Sequence, residues 1–318
     1  MRAFAFAALL VGAFASAGHA QPRPLTIVVP FAAGGPSDAM ARLVAQGLGD
    51  KLGTRVLVEN IPGAGGTIGS ARVSRAEPDG HTLVFGNIGT HAANVGLYKA
   101  LPYNPETDFE PVALIASVPF IVATKNQLPV TDFAAFRAVA TTTPLTYGSA
   151  GIGSASHLAC LLLNAAMHGK ASHVPYRGVA LAMNDLISGQ IDFICDQTVT
   201  LIPHITGGSV RPLAVMSRAQ LAQLPNLPTV AASGLPEVDV EAWNALFAPK
   251  GTPRAVVDQL FALVEDALAV PTVRSRLVEF GAVIPAPEVA QPDALRAHVS
   301  AEIRKWVPII RNAGVTAE

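Results

Sequence analysis

Five short stretches place small and polar residues where an apolar run gives way to a helical pattern. They are "FAAGGPSD" (31–38), "GNIGTHAAN" (86–94), "YGSAGIGSASH" (147–157), "HVPYRGVALA" (173–182) and "FICDQT" (193–198). Glycine lets the backbone take positive φ and lets a ligand approach the main chain. The helix that follows begins with unpaired N–H groups and the positive end of its dipole. Such a junction binds anions through the backbone itself. Hydrogen bonds to a charged group contribute roughly 1.5–3 kcal/mol each, and a micromolar site needs about 8 kcal/mol. Four or five of them suffice without an arginine.

The side chains at these junctions each admit two readings. Ser37 or Asp38 caps the first helix or braces its loop; alternatively, Asp38 meets an amine or hydroxyl of a ligand. Ser154 is an N-cap or a ligand contact. His157, one turn later, reads as packed. Arg177 pairs with a carboxylate or faces water. Asp196, at a strand end, reads a polar or charged ligand group.

The elements that must position these groups alternate. "LTIVVPF" reads as a strand, and Asp38 to Leu52 as a helix with one apolar face at Met40, Leu43, Val44, Leu48 and Leu52. "RVLVEN", "HTLVFGN", "PLTYGSA", "ASHVPYRG", "QIDFICD" and "VRPLAVMS" read as further strands separated by helices. This order predicts an α/β fold with parallel sheets and right-handed crossovers, whose ligands bind beyond the carboxyl ends of the strands. Two long apolar stretches, near 112–124 (interrupted by Pro119) and 241–248, read as the chain leaving a first lobe and returning to it. The expected division is residues 21–119 with 241–318 in lobe 1, and 120–240 in lobe 2. The helical tail then packs on lobe 1.

Residues 1–20 read as a secretory signal peptide: Arg2, an apolar stretch from Ala3 to Ala15, then small residues before Gln21. Without them the chain has 21 basic side chains against 23 acidic ones. No basic stripe offers itself to nucleic acid, and no later segment is a long unbroken apolar run. Cys160 and Cys195 either form one disulfide, as an oxidising compartment allows, or sit as two buried small hydrophobes. The histidines lack the spacing of metal ligands.

Enzyme readings are weaker. "GAGGTIG" (63–69) loosely matches a dinucleotide loop, but the next strand ends at Asn87, where an acid should bind ribose. The G-x-S-x-G elbow of serine hydrolases is missing around Ser149 and Ser154. An exported hydrolase of a small carboxylate ester or amide is the alternative function.

In order along nearly the whole chain, "VPFAAGGPSDAMAR", "VENIPGAGGTIG", "PDGHTL", "LPYNPETDFEPVALIA", "YGSAGIGSASHLA", "HVPYRG", "GQIDFICD" and "LPTVAASGLP" with "WNALFAPKGTP" resemble the Bug, or TctC-like, solute receptors of the tripartite tricarboxylate transporter system. The resemblance implies a type II periplasmic binding fold, two α/β lobes joined by a two-strand hinge. It implies a periplasmic, monomeric receptor that closes on a small carboxylate, with no cofactor, metal or catalytic residue. A membrane permease is the implied partner, and the role is uptake or signalling. Carried over residue by residue, the ligand-binding positions are Phe31, Gly34, Gly35, Ser37 and Asp38; Thr90 and His91; Ser149, Gly151 and Ser154; and Ala180 and Asp196. The chain departs from the family pattern at Cys160–Leu162, at Asn94–Val95 and at Cys195, which bears on pocket shape and ligand identity.

Overall fold

The computed structural model describes residues 23–312 and 314–317. The signal segment expected at 1–20 lies outside the described residues. Strand β1 (Thr26–Val29) pairs in parallel with β2 (Leu57–Asn60) and β3 (Thr82–Asn87). Strand β9 (Glu241–Pro249) runs antiparallel between β3 and the first part of β4 (Phe109–Thr124). From Phe120 onward β4 takes new antiparallel partners, β7 (Phe193–Gln197) and β8 (Arg211–Val215). Strand β5 (Thr146–Ser149) joins β7 to β6 (Ser172–Pro175), all three parallel. The expected parallel order thus holds for β1–β3 and for β5–β7. Strands β4 and β9, which carry the chain out of one lobe and back, are antiparallel to their neighbours, and β8 pairs antiparallel with the second part of β4.

The two crossings lie side by side. Pro119 pairs with Glu241, and Phe120, the next residue, already faces Gln197 of β7. Pro119 has no N–H to give, and it sits where β4 exchanges one set of partners for another. The proline therefore leaves β4 continuous.

Helix α1 (Pro36–Leu52) begins two residues earlier than the apolar periodicity suggests, because Pro36 occupies its first turn, where a missing N–H costs nothing. Gly53, at φ 64°, ends it. The remaining helices are α2 (Thr67–Ser74), α3 (Asn94–Leu97), α4 (Phe133–Thr142), α5 (Ala155–Ala166), α6 (Val179–Ser188), α7 (Thr198–Thr206), α8 (Arg254–Ala269), α9 (Pro271–Glu279), α10 (Pro287–Ala290) and α11 (Pro292–Asn312). Helix α8 packs on α1, and α11 packs on β4 and α3, so the tail covers the lobe built on β1.

Strand alternation divides the core. Val28, Val84, Leu114, Phe120, Val122, Phe193 and Trp306 belong to one apolar layer that runs through both lobes. Their strand neighbours point the other way. Ile27 and Val29 meet Met40, Leu48 and Val264 under α1 and α8. Ile121 and Ile194 meet Met183, Leu186 and Val215. Cys160 of α5 and Cys195 of β7 are joined by a disulfide, with Cα atoms 5.2 Å apart. This settles the two alternatives open in the sequence. Among the described residues no helix is long and apolar enough to cross a membrane.

Candidate functional site

The carboxyl ends of β1, β3, β5 and β7 converge on one cavity between the lobes. From the β1 side it is lined by Phe31, Ala32, Gly35, Pro36, Ser37 and Asn87. From the β7 side it is lined by Ala150, Ser154, Ala155, Ser156, Val179, Asp196 and Gln197. Four helices start here: α1, α5, α6 and α7. The first i→i−4 bonds run from Ala39 N to Gly35 O and from Leu158 N to Ser154 O. The N–H groups of Ser37, Ala155 and Ser156 precede them and have no partner within their helices. Among the described residues no lysine, arginine or histidine lines the cavity. About 20 Å³ is open to the centre of a water molecule, room for about one water. The cavity is narrow as it stands, and most of its lining residues are buried.

Each junction is braced by its own polar residues. Asp38 receives the Gly34 N–H (3.0 Å), Arg42 Nε (3.1 Å) and Asn60 Nδ2 (2.9 Å). Burial alone would raise the Asp38 pKa, but bonds from Arg42, Gly34 and Asn60 together hold it below the ordinary carboxylate value. Gly34, at φ 86°, makes the turn that exposes its N–H to Asp38. Asn87 accepts from Gly89 N (2.9 Å) and Thr90 N (3.2 Å) through Oδ1. Ser154 caps α5, accepting from His157 N at 3.3 Å. Asn244 of β9 donates from Nδ2 to Gln197 Oε1 across the lobes at 3.3 Å.

Of the positions carried over from the resemblance, Phe31, Gly35, Ser37, Ser154 and Asp196 line the cavity. Gly34, Asp38, Thr90, His91, Ser149, Gly151 and Ala180 do not line it. The N-cap of α1 is Gly35, with no side-chain cap, so Ser37 and Asp38 lie inside the first turn and Asp38 is the loop brace. Gly34 lies on the outer side of the same loop, where a Cβ would meet Ala180 Cβ at 3.4 Å. Thr90 and His91 are buried because a π-helical turn, Gly89–Ala93, tucks them under the junction. There His91 stacks on Phe247 at 3.9 Å and contacts Thr90 Oγ1 at 2.9 Å. Burial pushes the His91 pKa down to about 3, so it is neutral. Ser149 is fully buried, 2.6 Å from His173 Nε2. It neither lines the cavity nor belongs to a triad, since no carboxylate hydrogen-bonds His173 among the described residues. Gly151 lies, with exposed Arg177, on a separate outer cleft.

The lining residues that sequence reasoning did not single out are Ala32, Pro36, Asn87, Ala150, Ala155, Ser156, Val179 and Gln197. Asn87 and Gln197 each end a strand, and that position is the one signal that marks them.

A larger open groove, about 830 Å³, lies at the other end of β1 and β2 beside Arg55 and Gly53. The carboxyl end of α1 points there, and its dipole disfavours anions. The inner cavity, where helix N-termini converge, is the candidate site. Because Asp38 holds the first junction in shape, Asp38→Ala is expected to cost about 2 kcal/mol in urea unfolding, since it removes the bonds from the Gly34 N–H and Arg42 and leaves Asn60 Nδ2 only the Phe31 carbonyl. A loss under about 0.5 kcal/mol would show that water replaces the brace.

The comparisons agree with this geometry. Residues 40–315 match the model of the tripartite tricarboxylate transporter family receptor. The solved periplasmic binding protein BugD superposes with a TM-score of 0.90 at 38% identity, covering 93% of this chain and 99% of its own. MatC of Rhodopseudomonas palustris, solved with malate, gives 0.88 at 40% identity, covering 91% and 99%. A second R. palustris protein, solved with adipate, gives 0.88 at 34% identity, covering 93% and 99%. The match spans most of the chain and the two-lobed fold is shared: this chain belongs to the tripartite tricarboxylate transporter receptor family, the Bug and TctC periplasmic solute-binding proteins.

Proposed function

We propose that this protein captures a small carboxylate between its lobes, as a monomer, without chemical change. It then presents the closed form to a membrane permease of the tripartite type, or to a signalling partner. The observation that carries the reading is the convergence of α1, α5, α6 and α7 on one cavity with no cationic side chain. Backbone N–H groups and hydroxyls are then the anion-binding groups. Relatives solved with malate and adipate support a dicarboxylate of four to six carbons. In this reading residues 1–20 direct export to the periplasm and are removed there.

Residues 21–119 and 241–318 move as one body against 120–240, about the paired crossings at Pro119 and Glu241. Opening exposes the junctions to solvent. Ligand then favours closure through the bonds that only the closed state completes.

A thermal-shift panel of small carboxylates, with mass spectrometry of the recovered compound, tests this. At a ligand concentration 100 times Kd the folded state gains about 2.7 kcal/mol. The expected result is a raised melting temperature with at least one dicarboxylate, recovered intact. A panel with no shift, or a ligand recovered as hydrolysis product, would overturn it.

A further inference from the structure

Among the described residues, the lining of the inner cavity has one ionisable side chain and no cation to oppose it. Asp196 is 2% exposed, lines the cavity and has no hydrogen-bond partner at Oδ2. The ionisable groups on the elements around it are engaged elsewhere. Asp192, toward the other end of β7, pairs with Lys125 at 2.7 Å, and Asp38 of α1 pairs with Arg42 at 2.9 Å. Asp185 of α6 accepts from the Tyr176 hydroxyl, and His204 near the end of α7 bonds Ser209. His157 of α5 and His173 of β6 are kept neutral by burial, which pushes their pKa values down to about 3 and about 4. Glu241 is exposed at the lobe boundary.

A carboxylate held at the starts of α1, α5 and α7 therefore meets an oxygen at Asp196, with no cation between them. Of two carboxyl groups in contact inside a buried cavity, one has its pKa strongly raised and keeps its proton. Resting on the carboxylate reading above, we propose that Asp196 enters the bound state as a neutral carboxylic acid. Its Oδ2–H donates to an oxygen of the captured carboxylate, and each capture takes up one proton from the buffer.

Closure and charge act in the same direction. In the open cleft, water solvates Asp196 and it ionises. Burial in the closed form raises its pKa to about 7; the Thr200 hydroxyl and the Gln197 N–H pull it back only in part. A bound anion raises it further. The bound state holds the proton and the open state releases it. Kd therefore rises about tenfold per pH unit between the pKa of Asp196 in the open form and its pKa in the complex. The same geometry sets ligand class: the group facing Oδ2 is an acceptor. A ligand ammonium there would require the ionised form, and its capture would take up no proton.

Titration calorimetry with succinate, malate and adipate between pH 6 and 9, in two buffers of different protonation enthalpy, measures the proton directly. For the native chain we expect uptake approaching one proton, and affinity that falls as pH rises. Asp196→Asn keeps the shape and a fixed N–H donor; its binding is expected to be flat in pH and to take up no proton. Dicarboxylate binding by the native chain without proton uptake would overturn the proposal and leave carboxylate capture standing. Uptake that persists in Asp196→Asn would overturn it too. If none of the three acids binds, the capture reading itself fails, and the proposal with it.

Discussion

Gly65→Asn is expected to weaken carboxylate capture about 100-fold while the unliganded chain stays folded. Gly65 follows β2, in the short turn before α2, at φ 60°. A Cβ at this position would overlap the Ile152 carbonyl oxygen of the opposite lobe. The two backbones touch because glycine has nothing to put between them. Nearby, the Tyr98 hydroxyl donates to the same Ile152 carbonyl at 3.1 Å. Any side chain at 65 wedges the lobes apart and removes ligand bonds that need both of them. One or two bonds to a charged ligand, at roughly 1.5–3 kcal/mol each, correspond to the factor stated. Asparagine tolerates left-handed backbone, which separates collision from strain. Gly53→Asn is the control: its φ is 64° and a Cβ there meets nothing within 4 Å. Calorimetry should show the loss at 65 and not at 53. Equal affinities would mean that Gly65 and Ile152 do not touch in the liganded state.

The second large effect is on stability. The Cys160–Cys195 disulfide spans a sequence separation of 35 residues. Closing a loop of that size in the unfolded chain is worth about 4 kcal/mol, a large share of the roughly 5–15 kcal/mol that a folded domain commands. The double variant Cys160→Ala with Cys195→Ala is expected to lose about that amount in urea unfolding. It is also expected to bind more weakly. The bridge ties α5, whose start lines the cavity, to β7, which carries Asp196 next to Cys195. A loss under about 1 kcal/mol would show that packing between α5 and β7 holds the lobe without the bond.

How far the site could be read in advance depended on what each junction encodes. The strands and their order follow from β-branched runs and helical spacing, and the glycine- and serine-rich junctions mark the carboxyl ends of the strands. The bracing role of Asp38 and the capping role of Ser154 were both among the readings that local chemistry allows, because caps and braces are made by near neighbours. Which polar atom faces inward is not local. Thr90 and Asn87 are three residues apart, yet a π-helical turn buries one and leaves the other on the cavity wall. Gln197 is aligned by Asn244, which is remote in the chain and close only in the fold. The disulfide was undecided for the same reason: spacing says nothing of Cα separation. The glycines of 63–69 read loosely as a dinucleotide loop. In the fold they allow close backbone contact instead, and Gly65 meets Ile152 across the cleft.

The most direct measurement is a crystal structure of the protein with its captured ligand. The account predicts a small carboxylate in the inner cavity, its oxygens within hydrogen-bond reach of N–H groups at the starts of α1 and α5, directly or through one water, and one oxygen facing Asp196 Oδ2. A ligand held instead in the groove beside Arg55, or touched by only one lobe, would contradict it.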